Sequence, residues 1–457
     1  MRTATAMALT AFVGASLVGC GGPAGKDAKN VTLTIAANAI TGGKNAAEAN
    51  WLTDYVIPRF VAAEKAKGVT AKVVFQPSGV DDEQYKTKLS LDLKARSGAD
   101  VIDIDSIWIG EFAQAGYVKP LSELPGKAAE DWDGWKQMSS AAQDLVRFDD
   151  KRYAVPIGID GRVLYYNKAL FAKAGLGTDW QPKSWQEILD AGRKLKTLPG
   201  VTPIQLDAGT AMGEATTTQG VLPILAGAGA PLYAGGKWTG ATAGMKDTLG
   251  LYRDIYQGGL GEPALQQEAK GRDKSFQEFA DGKIGILGES DYFWRSVINP
   301  KGGTAPMADR DTAVGYALIP AQAPGKGLRG SDFVSYSGGS VRIINRNTKY
   351  PDQAFDLLAF MNSADAVKAG VDGAPKITAR TDVNDEVLGG DPMLKFVADR
   401  VLAVTSFRPP LAVYPRVSLA LQEATAAVVA GRSPDDAATA YQATLAEIVG
   451  GAANIAS

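Results

Sequence analysis

The stretch ADVIDIDSIW sets two carboxylates, Asp103 and Asp105, at alternate positions of an apolar run and an indole, Trp108, three residues past the second. Alternation along a strand sends both carboxylates to one face. Asp105 would then stand at the strand's carboxyl end, where ligands collect in open α/β sheets. A carboxylate accepts hydrogen bonds from two neighbouring hydroxyls and an indole offers a flat apolar face, which together suit the two surfaces of a sugar ring. The same residues have plain structural readings, Asp105 as a helix N-cap and Trp108 as a core side chain.

Most other site chemistry is missing from the chain. Its 457 residues include no histidine and one cysteine, so a Ser-His-Asp triad, an imidazole base and a zinc site all lack their parts. An enzyme here would have to work with carboxylates. GGKN from Gly42 resembles a phosphate loop only superficially, since the leading glycine is absent and Asn45 stands where Ser or Thr should hold magnesium. DVNDE, from Asp382 to Glu386, alternates acidic oxygens but lacks the glycine and closing glutamate of a calcium loop, and reads as a solvated turn. Neither a metal nor a cofactor is expected.

The lone thiol has a different logic. Cys20 follows Arg2, a weakly apolar run and the small residues of LVG, the layout of a cleaved secretory signal too short to span a bilayer. Leu17 to Cys20 resembles a bacterial lipobox, which implies that Cys20 carries a lipid and becomes the new N-terminus. The reading is a signal peptide over 1–19, a lipidated tether over 20–30, and a globular part held outside the cytoplasmic membrane by its lipid alone.

Charge and pattern bound the rest. With 48 basic and 50 acidic residues the net charge is −2, which gives no electrostatic argument for nucleic acid. VTLTIA, AKVVFQP and ADVIDID read as strands with helical stretches between them, which predicts a parallel sheet with crossover helices. SWQEILDAGRKL carries a capping box, Ser184 and Glu187, ahead of an apolar face. YPDQAFDLLAFMN and SPDDAATAYQATLAEIVGG begin with helix-start proline, and the second ends at Gly450.

Five blocks, SIWIGEFAQAGYVKPL, YAVPIGIDGRVLYYNKALFAKAGL, PKSWQEILDAGRKL, FQEFADGKIGIL and GGSVRIINRNTKYPDQAFDLLAFMNS, stand in the order found in extracellular solute-binding proteins of sugar ABC importers, and the chain resembles that family over nearly its whole mature length. SIWIGEFAQAGYVKPL and SFRPPLAVYPRVSLAL are most similar to trehalose- or maltose-type lipoproteins.

The resemblance implies an α/β, two-lobed periplasmic-binding-protein-like fold with a hinge and an interlobe ligand cleft. Lobe 1 would comprise 31–156 and 289–336, lobe 2 157–288 and 337–457. Carried over position by position, Glu83, Gln84, Asp105 and Trp108 would line the first wall, and Asp160, Arg162, Glu289, Tyr292, Trp294 and Arg408 the rest. Gly338 and Gly339 would let backbone approach the ligand. Asp105 and Arg408 would be opposing anchors on sugar hydroxyls. The implied protein is a non-catalytic monomer that delivers a sugar to permease subunits with a cytoplasmic ATPase; a carboxylate-based glycoside hydrolase and a binder of another solute remain as alternatives.

Overall fold

The structure is a computed structural model that describes residues 28–456 except Asp81, and of Glu83 the backbone alone. Cys20, the signal segment and most of the tether lie outside the described residues. The three expected strands form at Asn30–Ala37, Thr70–Pro77 and Val101–Asp105. Along the first, Val31, Leu33 and Ile35 are buried while Thr32 between them is exposed. The first pairs in parallel with both of the others, Val31 opposite Ala71 and Ile35 opposite Val101. Asp100 pins the start of the third: its carboxylate accepts from Thr34 N and Oγ1 at 2.8 and 2.7 Å and from Thr348 Oγ1 at 2.6 Å. The strand that carries Asp103 and Asp105 is thereby fixed between its neighbours.

Two main sheets follow. The first runs in the order 70–77, 30–37, 101–105, 340–344, 155–156, and the second 314–317, 162–167, 284–290, 202–205. This topology corrects the expected lobe boundaries in two places. Residues 289–336 stay with the second sheet: Glu289 pairs with Val163, and Val314–Ala317 lies antiparallel to the same strand. Ser340–Ile344 instead joins the first sheet, antiparallel to 101–105 with Ser340 opposite Asp105. The helix Pro351–Met361 follows it, with Phe355 and Leu358 in the core that holds Leu33 and Ile102. The cause is burial. Every residue of Ile284–Ser290 is buried and both its edges are paired, so its backbone groups are satisfied only inside the second sheet.

The chain crosses between the two halves at 157–161 and 338–339, and again after Val371. The expected helices form with their caps. Ser184 Oγ accepts from Glu187 N at 3.3 Å ahead of Trp185–Leu195, and Ser433 Oγ accepts from Asp436 N at 3.1 Å ahead of Pro434–Val449, which stops at left-handed Gly450. DVNDE is not a loop. It lies within the helix Thr381–Val387, and Asn384 Oδ1 accepts from Thr378 N at 2.8 Å, tying that helix to the segment before it. Among the described residues, no helix is long and apolar enough to cross a membrane.

Candidate functional site

A cleft of about 730 Å³ opens between the two halves, within the usual span of small-molecule sites. Asp105 and Trp108 line it from the first, Asp160, Arg162, Tyr292 and Arg408 from the second, and Gly338 and Gly339 from the crossing segment.

Asp105 ends its strand as expected and turns the chain into the helix Trp108–Gln114, its Oδ1 accepting from Ile107 N at 3.0 Å. The same oxygen accepts from Arg408 Nη2 at 3.1 Å, so the two residues expected as opposing anchors are bonded to each other. Burial at the base of the cleft pushes the Asp105 carboxyl up, and Arg408 and the Ile107 amide limit the rise. The Asp105 side chain is still 41% exposed, leaving acceptor capacity toward the cleft. Arg408 also reaches Glu214 Oε1 at 3.3 Å. Trp108 is only 5% exposed, its ring tilted against Tyr85 and Phe112, so it backs the wall and offers little open face.

Asp160 is a junction of the crossing segments. Its Oδ1 accepts from Gly338 N at 2.7 Å and from Arg162 Nη1. Although burial pulls its carboxyl up, Arg162, the Gly338 amide and Arg408 together hold it below the ordinary range. Arg162 is itself committed, with Nε donating to Gln219 Oε1 at 2.8 Å and Nη1 to Tyr336 O at 3.0 Å. The two glycines make room for the protein's own chain: a Cβ on Gly339 would lie 2.3 Å from Gly158 O, and one on Gly338 2.6 Å from Arg408 Nη2.

Three expected contacts are not where they were looked for. Glu289 is fully buried and binds Arg272 through both oxygens, to Nε at 2.6 Å and to Nη2 at 2.9 Å, and it does not line the cleft. Trp294 is also core, its Nε1 donating to Asp391 at 3.0 and 3.1 Å with the Arg310 guanidinium over its ring. Gln84 belongs to the helix Asp82–Lys94 rather than a loop and is exposed outside the cleft lining, where its neighbours Asp82 and Tyr85 take part. The Glu83 side chain lies outside the description. The accessible aromatic face is Tyr292, 38% exposed, with the guanidiniums of Arg295 and Arg272 at 5.5 and 5.9 Å from its ring centre.

Several lining residues carried no signal in the sequence. Glu214, in an unremarkable GEATTT stretch, accepts from Tyr414 Oη at 2.5 Å, Ser418 Oγ at 2.6 Å and Thr218 Oγ1 at 2.8 Å, and so orders the floor under Arg408. Arg272 reaches the cleft because buried Glu289 grips it from behind, with Asp207 3.8 Å away. Asp291 accepts from Arg295 Nε and Gly161 N, each at 3.0 Å, and steadies the arginine beside Tyr292.

Comparison with known proteins agrees with the two-lobed fold. A binding protein of Brucella abortus (strain 2308) is 26% identical over 279 residues, 61% of this chain and 62% of that protein, so the chain spans about three-fifths of that relative's length. A mannitol-binding protein of Pseudomonas aeruginosa is 23% identical over 353 residues, 75% of each chain. The two-lobed fold is shared with an ABC-transporter solute-binding protein of Thermotoga lettingae bound to α-D-tagatose, TM-score 0.72 and 24% identity over 92% of this chain and 99% of that one. It is shared too with the GacH receptor of Streptomyces glaucescens, solved unliganded and in complex with acarbose, TM-score 0.72 and 22% identity over the same shares. Residues 43–368 match the signature of bacterial extracellular solute-binding proteins, and the chain belongs to that family.

Proposed function

We propose that the protein captures a neutral sugar or polyol in the cleft and hands it to the permease of an ABC importer, without chemical change to the ligand. The observation that carries this reading is the cleft itself: side chains from both halves converge on about 730 Å³, with Asp105, Arg408, Glu214, Asp160 and Arg162 already held in place by hydrogen bonds. Asp105, Asp160 and Arg408 supply fixed hydrogen-bonding groups, and Tyr292 supplies the ring face. Such ready-made polar walls suit hydroxyls, since little side-chain order is lost on binding. The carboxylates that a glycosidase would need are engaged: Glu289 with Arg272, Asp160 with Arg162 and Asp105 with Arg408.

An α-linked disaccharide such as trehalose or maltose is the preferred ligand. Mannitol is the alternative, favoured by the match to a mannitol-binding protein. The protein would work as a monomer outside the cytoplasmic membrane, tethered through a lipid on Cys20, with permease subunits and their cytoplasmic ATPase as partners. Thermal-shift measurements with trehalose, maltose and mannitol, followed by chromatography of the recovered ligand, test the reading. A raised melting temperature with unchanged ligand is expected; hydrolysis products would overturn it in favour of an enzyme.

A further inference from the structure

The first-half wall of the cleft carries buried polar atoms that lack a hydrogen-bond partner among the described residues. Tyr85, 3% exposed on the helix Asp82–Lys94, and Asp103, 8% exposed on the strand Val101–Asp105, both line the cleft. Tyr85 Oη and Asp103 Oδ2 are buried and find no hydrogen-bond partner among the described residues, and cleft-lining Asn38 leaves its Oδ1 in the same state. Asp103 Oδ2 lies 3.5 Å from Arg342 Nη2, a guanidinium already bonded to Glu48 Oε1 at 2.6 Å, and the Asp103 carboxyl also interacts with that of Glu48. Unpaired buried polar groups are costly, and native proteins keep few of them. Three on one face of one cleft call for a common partner.

We propose that Tyr85 and Asp103 form a hydroxyl-binding subsite, separate from the Asp105–Arg408 pair, which takes the hydroxyls of one uncharged sugar unit and so sets which unit enters the inner end of the cleft. The proposal rests on the sugar-capture reading. Both residues can accept from hydroxyls, and the Tyr85 phenol can also donate, the pairing that polyols satisfy. Neighbouring charge favours a neutral ligand: Glu48 is matched by Arg342, and Lys376, which also lines the cleft, stands near both Glu48 and Asp103. Trp108, tilted against Tyr85 with ring centres 6.4 Å apart, holds the phenol in place.

The test is calorimetric titration of wild type, Tyr85→Phe and Asp103→Asn with trehalose, maltose and mannitol, beside melting curves without ligand. Tyr85→Phe deletes a hydroxyl that has no protein partner, so the ligand-free variant should melt as wild type does while its affinity for the best of the three probes falls about three- to tenfold. Asp103→Asn should lower affinity by a similar factor. Wild-type affinity in both variants would mean that buried water alone serves these atoms and would overturn the subsite, as would a marked drop in the melting temperature of ligand-free Tyr85→Phe. Failure of all three probes to bind wild type would overturn the sugar-capture reading itself, a result distinct from either.

Discussion

Asp105 and Arg408 share a hydrogen bond at 3.1 Å across the cleft, and this changes what a substitution at either one reports. Removing Asp105 leaves Arg408 with Glu214 as its nearest acid and also deletes the acceptor for Ile107 N. Asp105→Asn keeps an oxygen for the turn and discards only the charge. The Asn variant should therefore fold like wild type and bind the best disaccharide about tenfold more weakly, whereas Asp105→Ala should additionally lose about 0.5–1.5 kcal/mol of stability with the acceptor for Ile107 N. Titration calorimetry and denaturant melts separate the two, and unchanged affinity in Asp105→Asn would take its charge out of recognition. A second residue makes a pH prediction. Asp207 is buried, its Oδ2 lacks a hydrogen-bond partner among the described residues, and burial with nearby Glu289 pushes its carboxyl up to about 7 against the pull of Arg272. An acid raised in the folded state holds its proton when the unfolded chain has already lost it. The contribution of this group to stability then falls as pH rises from about 4 to about 7, by up to about 1.4 kcal/mol per pH unit. Asp207→Asn should remove this fall, so the variant gains on wild type as pH is raised from 5 to 8; parallel denaturation curves across that range would contradict it.

At the scale of elements, the crossing segments are where backbone geometry is tightest. Gly339 sits against Gly158 O, which cannot move as a side chain would, so Gly339→Ala should cost about 1–3 kcal/mol, measured by denaturant unfolding. Gly338→Ala meets the movable end of Arg408 instead and should weaken ligand binding more than it weakens the fold. The elements themselves could be read from the sequence because their signals are local. Alternation gave the strand with Leu33 and Ile35, and Ser184 with Glu187 announced the helix that follows. The placement of Asp105 at a strand end was legible for the same reason, whereas Asp160 was reached only through the resemblance to the family. The side on which Glu289 falls was not, since GES reads alike whether its carboxylate faces open cleft or Arg272 behind the sheet. That choice depends on pairing with 162–167, more than a hundred residues away in the chain. The lobe boundary at 289–336 failed on the same long-range pairing. Glu214 stayed hidden because its partners Tyr414 and Ser418 lie 200 residues on, and spacing of that kind leaves no periodic trace.

For the molecule as a whole, the position of the cleft between two separately cored halves has a mechanical consequence. Leu33, Ile102 and Leu358 belong to one core and Leu164, Ile286 and Leu421 to another, so each half can move as a body about the crossings near 157–161, 338–339 and 371. A ligand touching both walls then binds most tightly when they approach, the usual basis of hinge closure. The Arg408–Asp105 bond ties the halves together, and at a partly exposed site such a tie is weakened by salt. Small-angle scattering at low ionic strength should accordingly show a moderate decrease in radius of gyration on adding the best sugar. In about 0.5 M salt the ligand-free protein should open further and the decrease should grow. Asp105→Asn, lacking one charge of the tie, should be the more open form at low salt and should respond less to added salt. Scattering curves that coincide with and without saturating sugar at both ionic strengths would reject closure. A salt response equal in wild type and Asp105→Asn would reject Asp105–Arg408 as the contact that sets the resting opening, leaving closure to the ligand alone.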